Sequence, residues 1–543
     1  MAEDTVQPQD LLGDFSGPVN EAIARLEQDD IVARIWAGDH TVWRNAPTEI
    51  ENRLGWLSVI AEMESQAASL TSFASEIKDA GFNRVVLLGM GGSRLGPEVI
   101  RQVISAPSNF PTLTVLGSTS PSALREMAKS IDPDKTLFIV SSKSGGTIEP
   151  NAVYQYFRSI VVASVSESRV GDHFIAITDH GTTLESLANE HQFRRIFLNP
   201  RDIGGRYSVL SYFGLVPAAL MGVDVGKLLA RASMEAAKSP GPINLEHDSG
   251  TWLGAFLATV VNRGRDKLTV LTSPSLASFA FWVEQLLAES TGKQGTGLIP
   301  VVGEPMLEIQ AYPDDRSFVF LRMKGDDNAK EDLAIERLAA AGHPVARLEM
   351  QDRYDIGGEF FRWELATSVA GAIMGIHPFD QPDVQAAKDS TRAILDTFLR
   401  GGHLPEPQLP GGIQDLLAKA SPGDYLAIMV YAKESEGIDA AISLLRKIVA
   451  DRYKIATTTA YGPRFLHSTG QLHKGGPATG LYLQLTVDEI DLAIPGEEYG
   501  FGTLIKAQAQ GDYQALEWKN RRLVRVHLGE DAESGILRLL GGL

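Results

Sequence analysis

The chain has 543 residues, which is too long for one compact domain, and its 44% hydrophobic and 22% charged residues are typical of a globular protein. It contains no cysteine, so disulfides and thiolate metal sites are excluded. The net charge of −18 argues against a nucleic-acid-binding surface and repels anions at long range, so any anion site must be built locally.

The N-terminal region, residues 1–60, has a helical pattern and is predicted to form a helical arm. Its first residues, "MAEDTVQPQDLLGDF", are acidic and lack the apolar core of a secretory signal, so we expect a cytoplasmic protein. The longest apolar window, "YSVLSYFGLVPAALMGV" (207–223), is interrupted by Ser211, Gly214 and Pro217. It therefore predicts a buried helix and not a membrane span.

From about residue 83, short apolar runs alternate with stretches long enough for a crossover helix. The runs are "NRVVLLGM", "LTVLGS", "TLFIVSS", "HFIAITD" and "FRRIFLN". This alternation is typical of βαβ units and a parallel, doubly wound sheet. We assign residues 61–238 to a first lobe built on these strands.

A second series of strand-like runs begins near residue 266. Its members are "KLTVLTS", "GLIPVVG", "SFVFLRM", "VARLEM", "YKIATTTAYG", "GLYLQLT" and "RLVRVHL". We assign them to a second lobe, residues 239–543, with a helical insertion at about 360–450. A candidate linker, "SPGPINLEHDSG" (239–250), precedes it. The predicted fold is α/β, with two doubly wound parallel-sheet lobes plus helical N-terminal and inserted segments.

Two loops of the first lobe follow predicted strands, where ligands bind in open α/β sheets. In "LLGMGGSRLGPE" (87–98), the glycines at 89, 91 and 92 let backbone amides approach a ligand before a helix that is predicted to begin near Pro97. Gly92 and Ser93 are candidate binding residues. Arg94 could contact a bound anion or point away from it.

The loop "SSKSGGTIEPN" (141–151) combines hydroxyl groups, one ammonium group and the start of a helix. Ser142, Lys143, Ser144 and Thr147 are the candidate ligands of an anion. A plain strand-to-helix turn would explain either loop alone, but both in one lobe favour an anion site. The Walker pattern and the dinucleotide G-x-G-x-x-G spacing are both absent, so a small phosphate monoester is the expected ligand.

Two further stretches carry charged side chains that could take part in catalysis. In "NPRDIGGRYSVLS" (199–211), a glycine pair presents Arg206, which could stabilise a developing oxyanion or merely pair with Asp202. In "LASFAFWVEQLLAESTGKQGTG" (276–297), helical spacing places Glu289 in a last turn before Gly292. The partial negative charge of a helix C-terminus disfavours a carboxylate there and so raises its pKa, which suits a general base. Lys293 opposes this effect. The alternative is that Glu289 is an ordinary surface residue.

Six stretches together resemble the glucose-6-phosphate isomerase (phosphoglucose isomerase) family of sugar-isomerase proteins: "GMGGS", "SSKSGGT", "GGRYS", "ESTGK", "HPFDQPDVQAAK" and "LHSTGQ". The resemblance covers nearly the whole chain. Longer stretches such as "VLLGMGGSRLGPEV" are most similar to the isomerase half of bacterial transaldolase/phosphoglucose isomerase fusions. No transaldolase half is visible, so we expect no transaldolase activity.

The resemblance implies a role for each matched residue. Glu289 would move a proton between C2 and C1 of glucose 6-phosphate and fructose 6-phosphate, and Arg206 would steady the enediolate. His467 would open the sugar ring, with Lys388 assisting at the ring oxygen. The loop residues Ser142, Lys143, Ser144 and Thr147 would hold the 6-phosphate, with Gly92 and Ser93 near the sugar. Neither a metal nor a nicotinamide cofactor is implied, and a homodimer with shared sites is expected.

Several alternatives stay open on the sequence alone. The chain could also accept mannose 6-phosphate, with Thr291 near the base as a feature that alters discrimination at C2. It could be a sugar-phosphate sensor without activity, although a sensor needs only the phosphate loop. His473 or Lys474 could take the place of His467. A metal site at His467 and His473 is disfavoured because no third ligand is evident.

Overall fold

The computed structural model describes residues 11–239, 249–404 and 411–543. The predicted linker at 239–250 falls almost entirely outside the described residues. The strands are β1 (Arg84–Gly89), β2 (Thr112–Leu116), β3 (Thr136–Ser141), β4 (Phe174–Asp179), β5 (Arg195–Asn199), β6 (Lys267–Thr272), β7 (Ile299–Val302), β8 (Arg316–Met323), β9 (Val345–Met350), β10 (Tyr425–Tyr431), β11 (Ala456–Tyr461), β12 (Gly480–Thr486) and β13 (Arg522–His527).

The helices surround these strands. They are α1 (Ser16–Gln28), α2 (Ile31–Trp36), α3 (Val59–Asp79), α4 (Gly92–Val103), α5 (Pro121–Ser130), α6 (Ile148–Ser164), α7 (Thr183–Glu190), α8 (Tyr212–Leu220), α9 (Val225–Ala236), α10 (Gly250–Asn262), α11 (Ala277–Thr291), α12 (Ala329–Ala340), α13 (Ile356–Met374), α14 (Val384–Gly401), α15 (Ile413–Leu417), α16 (Glu436–Tyr453), α17 (Gly470–Gly475), α18 (Phe501–Trp518) and α19 (Ala532–Leu540).

The first sheet has the strand order β2-β1-β3-β4-β5, and every pairing is parallel. Its central strands are buried on both faces, as in β3, where all six residues are buried. Such strands appear in sequence as continuous apolar runs because helices cover both sides of the sheet. The five runs predicted for this lobe are all strands, and the predicted α/β fold is confirmed. We propose that residues 61–238 fold as one unit.

The strands beyond residue 239 form two four-stranded parallel sheets, β7-β6-β8-β9 and β11-β10-β12-β13. Strand β10 lies within residues 360–450, which the sequence analysis assigned to a helical insertion, so the insertion is not wholly helical. The sequence analysis missed this strand because its residues, "YLAIMVY", are buried along their whole length. A short apolar run buried on both faces cannot be distinguished from a buried helix by periodicity.

Within residues 11–60 the chain forms α1, α2 and several short 3₁₀ turns, and apolar residues of this segment join the main core. Val19 and Ile23 of α1 are buried, and the indole Nε1 of Trp43 donates a hydrogen bond to the carbonyl of Ser368 at 2.9 Å. The apolar window at 207–223 forms the buried helix α8. Among the described residues, no helix combines the length and the hydropathy needed to cross a membrane.

The first sheet has a topological switch point between β1 and β3. The chain passes from β1 to β2 on one side and then returns to β3 on the other. At such a point the connecting loops separate and leave a crevice beyond the carboxyl ends of the strands. The two loops that the sequence analysis selected, after β1 and after β3, border this crevice.

Candidate functional site

A cavity of about 860 Å³ occupies the switch point. The ten predicted site residues all line it: Gly92, Ser93, Ser142, Lys143, Ser144, Thr147, Arg206, Glu289, Lys388 and His467. All ten belong to one chain, so no second subunit is needed to bring them together. The N-terminal arm also contributes to the wall through Asn52 and Arg53.

The loop after β3 presents hydroxyl groups and backbone amides to the cavity. Ser142 Oγ donates to Thr147 Oγ1 at 3.2 Å, and Ser144 Oγ lies 3.5 Å from the same atom. Gly145 has φ +68°, a conformation that favours glycine and bends the loop towards the start of α6. The amides at the N-terminus of α6 and these hydroxyls have the arrangement of a cradle that could hold an anion.

The ammonium group of Lys143 is already bound at the wall of this cradle. Its Nζ forms an ion pair with the carboxylate of Asp179, at the end of β4, and donates to the carbonyl of Arg201 at 3.1 Å. Burial lowers the pKa of Lys143 and raises the pKa of Asp179, while their mutual attraction opposes both shifts. Lys143 is thus held in a fixed position beside the cradle.

The loop after β1 enters its helix earlier than predicted. Helix α4 begins at Gly92 and contains Pro97, whereas the sequence analysis placed the helix start near Pro97. Proline cannot donate to the carbonyl four residues earlier, which belongs to Ser93. That carbonyl instead accepts a hydrogen bond from Ser141 Oγ at 3.4 Å. Gly92 and Ser93 both line the cavity, and the Ser93 amide donates to the carbonyl of Met90 at 3.2 Å.

The backbone of Gly92 lies against the backbone of Gly205. A methyl group on Gly92 would overlap the Gly205 carbonyl, whereas a methyl group on Gly205 would meet no atom within 4 Å. We therefore expect Gly92→Ala to lower the free energy of unfolding by about 1–3 kcal/mol through overpacking. Gly205→Ala is the matched control and should be nearly neutral. Equal melting temperatures for the two variants would contradict the close packing of these loops.

Arg206 is 3% exposed, and its guanidinium group binds residues of two other matched stretches, "ESTGK" and "HPFDQPDVQAAK". Nε donates to Ser290 Oγ at 2.7 Å, and Nη2 donates to the carbonyls of Pro378 at 2.6 Å and Asp380 at 3.0 Å. Nη1 donates to Gln381 Oε1 at 2.9 Å. The rigid fork of an arginine is needed for this arrangement. The predicted alternative, a pair with Asp202, is not the arrangement found.

The carboxylate of Glu289 lies beside this guanidinium group. Its Oε1 is 3.3 Å from Arg206 Nη1, and its Oε2 accepts from Gln285 Nε2 at 3.1 Å. Glu289 is in the last turn of α11, as predicted, and its side chain is only 13% exposed. It is therefore a cavity residue and not an ordinary surface residue. Lys293 faces away and binds the carboxylate of Asp380 at 2.6 Å.

His467 reaches the cavity from the short 3₁₀ turn Arg464–His467, after β11. Its Nε2 lies 3.0 Å from Glu149 Oε1, and this oxygen also accepts from Gln508 Nε2 at 2.8 Å. Burial alone would raise the pKa of Glu149, but the neighbouring His467 outweighs it, and the pKa is lowered. The buried carboxylate orients the imidazole ring, as in other carboxylate–histidine pairs.

Lys388 lines the cavity from α14, on the exposed surface of that helix. The two substitutes considered for His467 are engaged elsewhere. His473 is buried away from the cavity, and Lys474 Nζ binds Asp512 Oδ1 at 2.6 Å in a buried pair. The hydroxyl of Thr291 donates to the carbonyl of Leu287 at 2.7 Å, so Thr291 does not line the cavity.

The site thus combines four chemical capacities. It has an anion cradle, a carboxylate that can accept a proton, a guanidinium group beside that carboxylate, and an oriented imidazole. The described residues contain no group of three or more acidic, histidine or cysteine side chains arranged to hold a metal ion. Proton transfer next to a fixed positive charge is the chemistry that these groups favour.

Comparison with known proteins gives concordant results. A family model described as phosphoglucose isomerase matches residues 44–298. The glucose-6-phosphate isomerase of Rubrobacter xylanophilus is 29% identical over 442 residues, which cover 73% of this chain and 98% of that protein. The glucose-6-phosphate isomerase of Staphylococcus saprophyticus is 26% identical over 412 residues, 68% of this chain and 92% of that protein.

The chain is thus similar to glucose-6-phosphate isomerases over about two thirds or more of its length, and the phosphoglucose isomerase family model matches somewhat less than half of it. The family model ends before the segments that carry Lys388 and His467. Two solved structures share the fold. A hypothetical protein from Thermus thermophilus is 24% identical with a TM-score of 0.60, covering 70% of this chain and 98% of its own. A glucose-6-phosphate isomerase from Chlamydia trachomatis is 20% identical with a TM-score of 0.59, covering 70% of this chain and 86% of its own.

Four cavity or near-cavity residues were missed by the sequence analysis: Glu149, Asp179, Gln285 and Gln381. A sequence signal existed for two of them. Gln285 precedes Glu289 by four residues, the spacing at which helical side chains meet. Asp179 ends a predicted strand at the edge where ligands bind. For Glu149 and Gln381 the only signal was their position inside or beside the matched stretches, because their partners are distant in the chain.

Proposed function

We propose that the chain interconverts glucose 6-phosphate and fructose 6-phosphate through an enediolate intermediate, with Glu289 as the base. The observation that carries this proposal is the 3.3 Å contact between Glu289 and Arg206 at the wall of the cavity. A general base is effective when a nearby positive charge stabilises the negative charge that develops on the substrate as its proton is removed. Similarity to the phosphoglucose isomerase family model and to glucose-6-phosphate isomerases supports the same reaction.

The proposed mechanism begins with the phosphate group in the cradle of Ser142, Ser144 and Thr147, beside Lys143. Binding energy gained there, away from the reacting carbons, orients C1 and C2 against Glu289. Glu289 removes the proton from C2 of the open-chain aldose and returns it to C1, while the hydroxyl on C2 loses its proton and the carbonyl oxygen on C1 gains one. The charge of the enediolate develops next to Arg206. The net reaction is redox-neutral.

Ring opening requires a second acid and base. We assign this step to His467, whose imidazole is oriented by the carboxylate of Glu149 at 3.0 Å. Lys388, on the same side of the cavity, supplies a positive charge near the ring oxygen. In this assignment Glu149 is a positioning residue, because it acts through His467.

Replacing Glu149 should slow turnover without weakening substrate binding. Glu149→Gln keeps the shape of the side chain but removes the charge that orients the imidazole of His467. We expect kcat to fall about tenfold, less than the ~10²-fold lower end for a direct acid or base, because Glu149 acts only through His467. KM should change little. Glu190→Gln, on the exposed face of α7, is the control. A parental kcat in Glu149→Gln would contradict the positioning role.

The proposal is tested by turnover of fructose 6-phosphate by the purified chain without added metal or nucleotide. Formation of glucose 6-phosphate, followed by nuclear magnetic resonance, is the expected result. A parallel reaction with mannose 6-phosphate separates a strict isomerase from one of broader scope. Binding of fructose 6-phosphate without turnover would refute the enzyme and favour a sugar-phosphate sensor.

We further propose a cytoplasmic homodimer. The ten site residues come from one chain, so in this proposal the dimer stabilises the fold and is not needed to assemble them. Light scattering of the purified chain would give the oligomeric state directly. Activity that persists in a monomeric fraction is the expected companion result.

A further inference from the structure

A second cavity, of about 450 Å³, lies next to the main one and shares only Gly91 with it. Its wall includes the end of a strand from each of the three sheets: Val115 of β2, Val302 of β7, and residues 459–461 of β11. Ligands of parallel α/β sheets bind beyond the carboxyl ends of the strands. The volume falls within the ~300–1,000 Å³ range of small-molecule sites.

Arg94, which follows the first glycine loop, lines this second cavity and not the main one. Its side chain is partly exposed and also borders a smaller cavity of about 270 Å³, whereas its Nε is buried and has no hydrogen-bond partner among the described residues. Burial, followed by the nearby charge of Arg464, lowers the pKa of Arg94 to about 10, so it is charged at neutral pH. A positive charge in such surroundings is costly unless an anion binds it.

Hydrogen-bonding groups without described partners line another part of the wall. Glu284 is 6% exposed and makes no hydrogen bond to another described residue, and the hydroxyls of Ser278 and Thr459 are also unpaired there. Burial raises the pKa of Glu284 to about 8, despite the opposing charges of Arg446 and Arg464. At neutral pH its carboxyl group is therefore mostly protonated and can both donate and accept, as a hydroxylated ligand requires.

The other charged groups of the wall are already satisfied. Glu434 pairs with Arg464 at 2.7 Å, Asp439 accepts from Tyr461 at 2.6 Å, Glu98 pairs with Arg101 at 2.6 Å, and Arg446 donates to Val302, Gly303 and Thr457. Arg94 and Glu284 are the charged or acidic wall residues that have no such partner among residues 11–239, 249–404 and 411–543. They are therefore the groups that a ligand would bind.

We propose that this second cavity binds a small phosphate monoester, with its phosphate group at Arg94 and its hydroxyl groups at Glu284 and Ser278. Arg94 is the anion-binding group of the cavity, since charge-assisted hydrogen bonds are the strong ones. The neutral carboxyl group adds recognition without repelling the phosphate. The site is separate from the phosphate cradle after β3, and it does not depend on the reaction proposed for the main cavity.

The test measures bound phosphate by equilibrium dialysis of the full chain with radiolabelled inorganic phosphate. The parent chain should bind one more phosphate than Arg94→Gln, whose affinity at this site should fall about 10-fold to 100-fold. Both chains bind the same amount of phosphate at the main cavity, so the difference in bound phosphate between them reports the second cavity alone. Arg337→Gln, on the exposed face of α12 and away from both cavities, is the matched control, and Arg94→Lys should retain part of the binding. Equal phosphate binding by the parent and Arg94→Gln would overturn the proposal.

The second arm tests the other half of the ligand with glycerol 3-phosphate. The parent should bind it more tightly than inorganic phosphate at the second site. Glu284→Leu should abolish this difference and leave inorganic phosphate bound, whereas Glu284→Gln, which imitates the neutral carboxyl group, should preserve it. If Glu284→Leu still binds glycerol 3-phosphate more tightly than inorganic phosphate at the second site, the role of Glu284 is refuted. Melting temperatures confirm that each variant is folded.

Discussion

Glu289→Gln should lower kcat for fructose 6-phosphate by about 10³-fold to 10⁴-fold, the upper range of general acid–base contributions. The amide keeps the shape of the carboxylate, so it still lies beside Arg206 and Gln285, but it cannot accept the proton from carbon. KM should change little, because the phosphate cradle is untouched. Steady-state kinetics with a direct binding measurement on the same preparation would check both expectations.

The matched control for this substitution is Glu336→Gln, on the exposed side of α12. It makes the same chemical change and should leave kcat unaltered. Turnover by Glu289→Gln at the parental rate would keep the reaction but reject the assigned base. Loss of binding together with turnover would instead indicate that the substitution disrupts the site.

Arg206→Lys should lower kcat by about 10²-fold to 10³-fold, comparable to removal of an oxyanion-stabilising donor. One ammonium group cannot reproduce the fork that binds Ser290, Pro378 and Gln381, and it moves the charge away from the enediolate. Because the freed carbonyls are buried, the melting temperature should also fall.

The structural and chemical roles of Arg206 can be separated. Turnover is measured well below the melting temperature of the variant, with Arg337→Lys on exposed α12 as the control. A reduced kcat with a nearly unchanged KM supports stabilisation of the transition state. A lower melting temperature with parental kcat would restrict Arg206 to a structural role.

The strands and the position of the loop after β3 could be predicted because their signals are local. Apolar runs such as "TLFIVSS" are short and bounded by turn residues, and the cradle follows one of them within a few residues. The predicted boundary of α11 was also correct, because glycine at 292 ends a regular apolar pattern. The boundary of α4 was wrong, because a hydrogen bond from Ser141 compensates for the proline inside that helix.

The partners of the site residues could not be predicted. Glu149 and His467 are 318 residues apart in the chain, and Arg94 faces a wall built from three sheets. No local pattern encodes which loops will meet, since those contacts depend on how the sheets pack.

The sequence alone indicated the α/β class and the two loops at the carboxyl ends of the strands, because backbone propensity and apolar periodicity act over a few residues. Lys388 and His467 became candidates only through the resemblance of their motifs to the glucose-6-phosphate isomerase family. The tertiary structure alone decided that the ten candidate residues share one cavity within one chain, that Lys143 is already paired with Asp179, and that β10 is a strand. Those outcomes depend on long-range packing and on burial, which sets the cost of each unpaired charge.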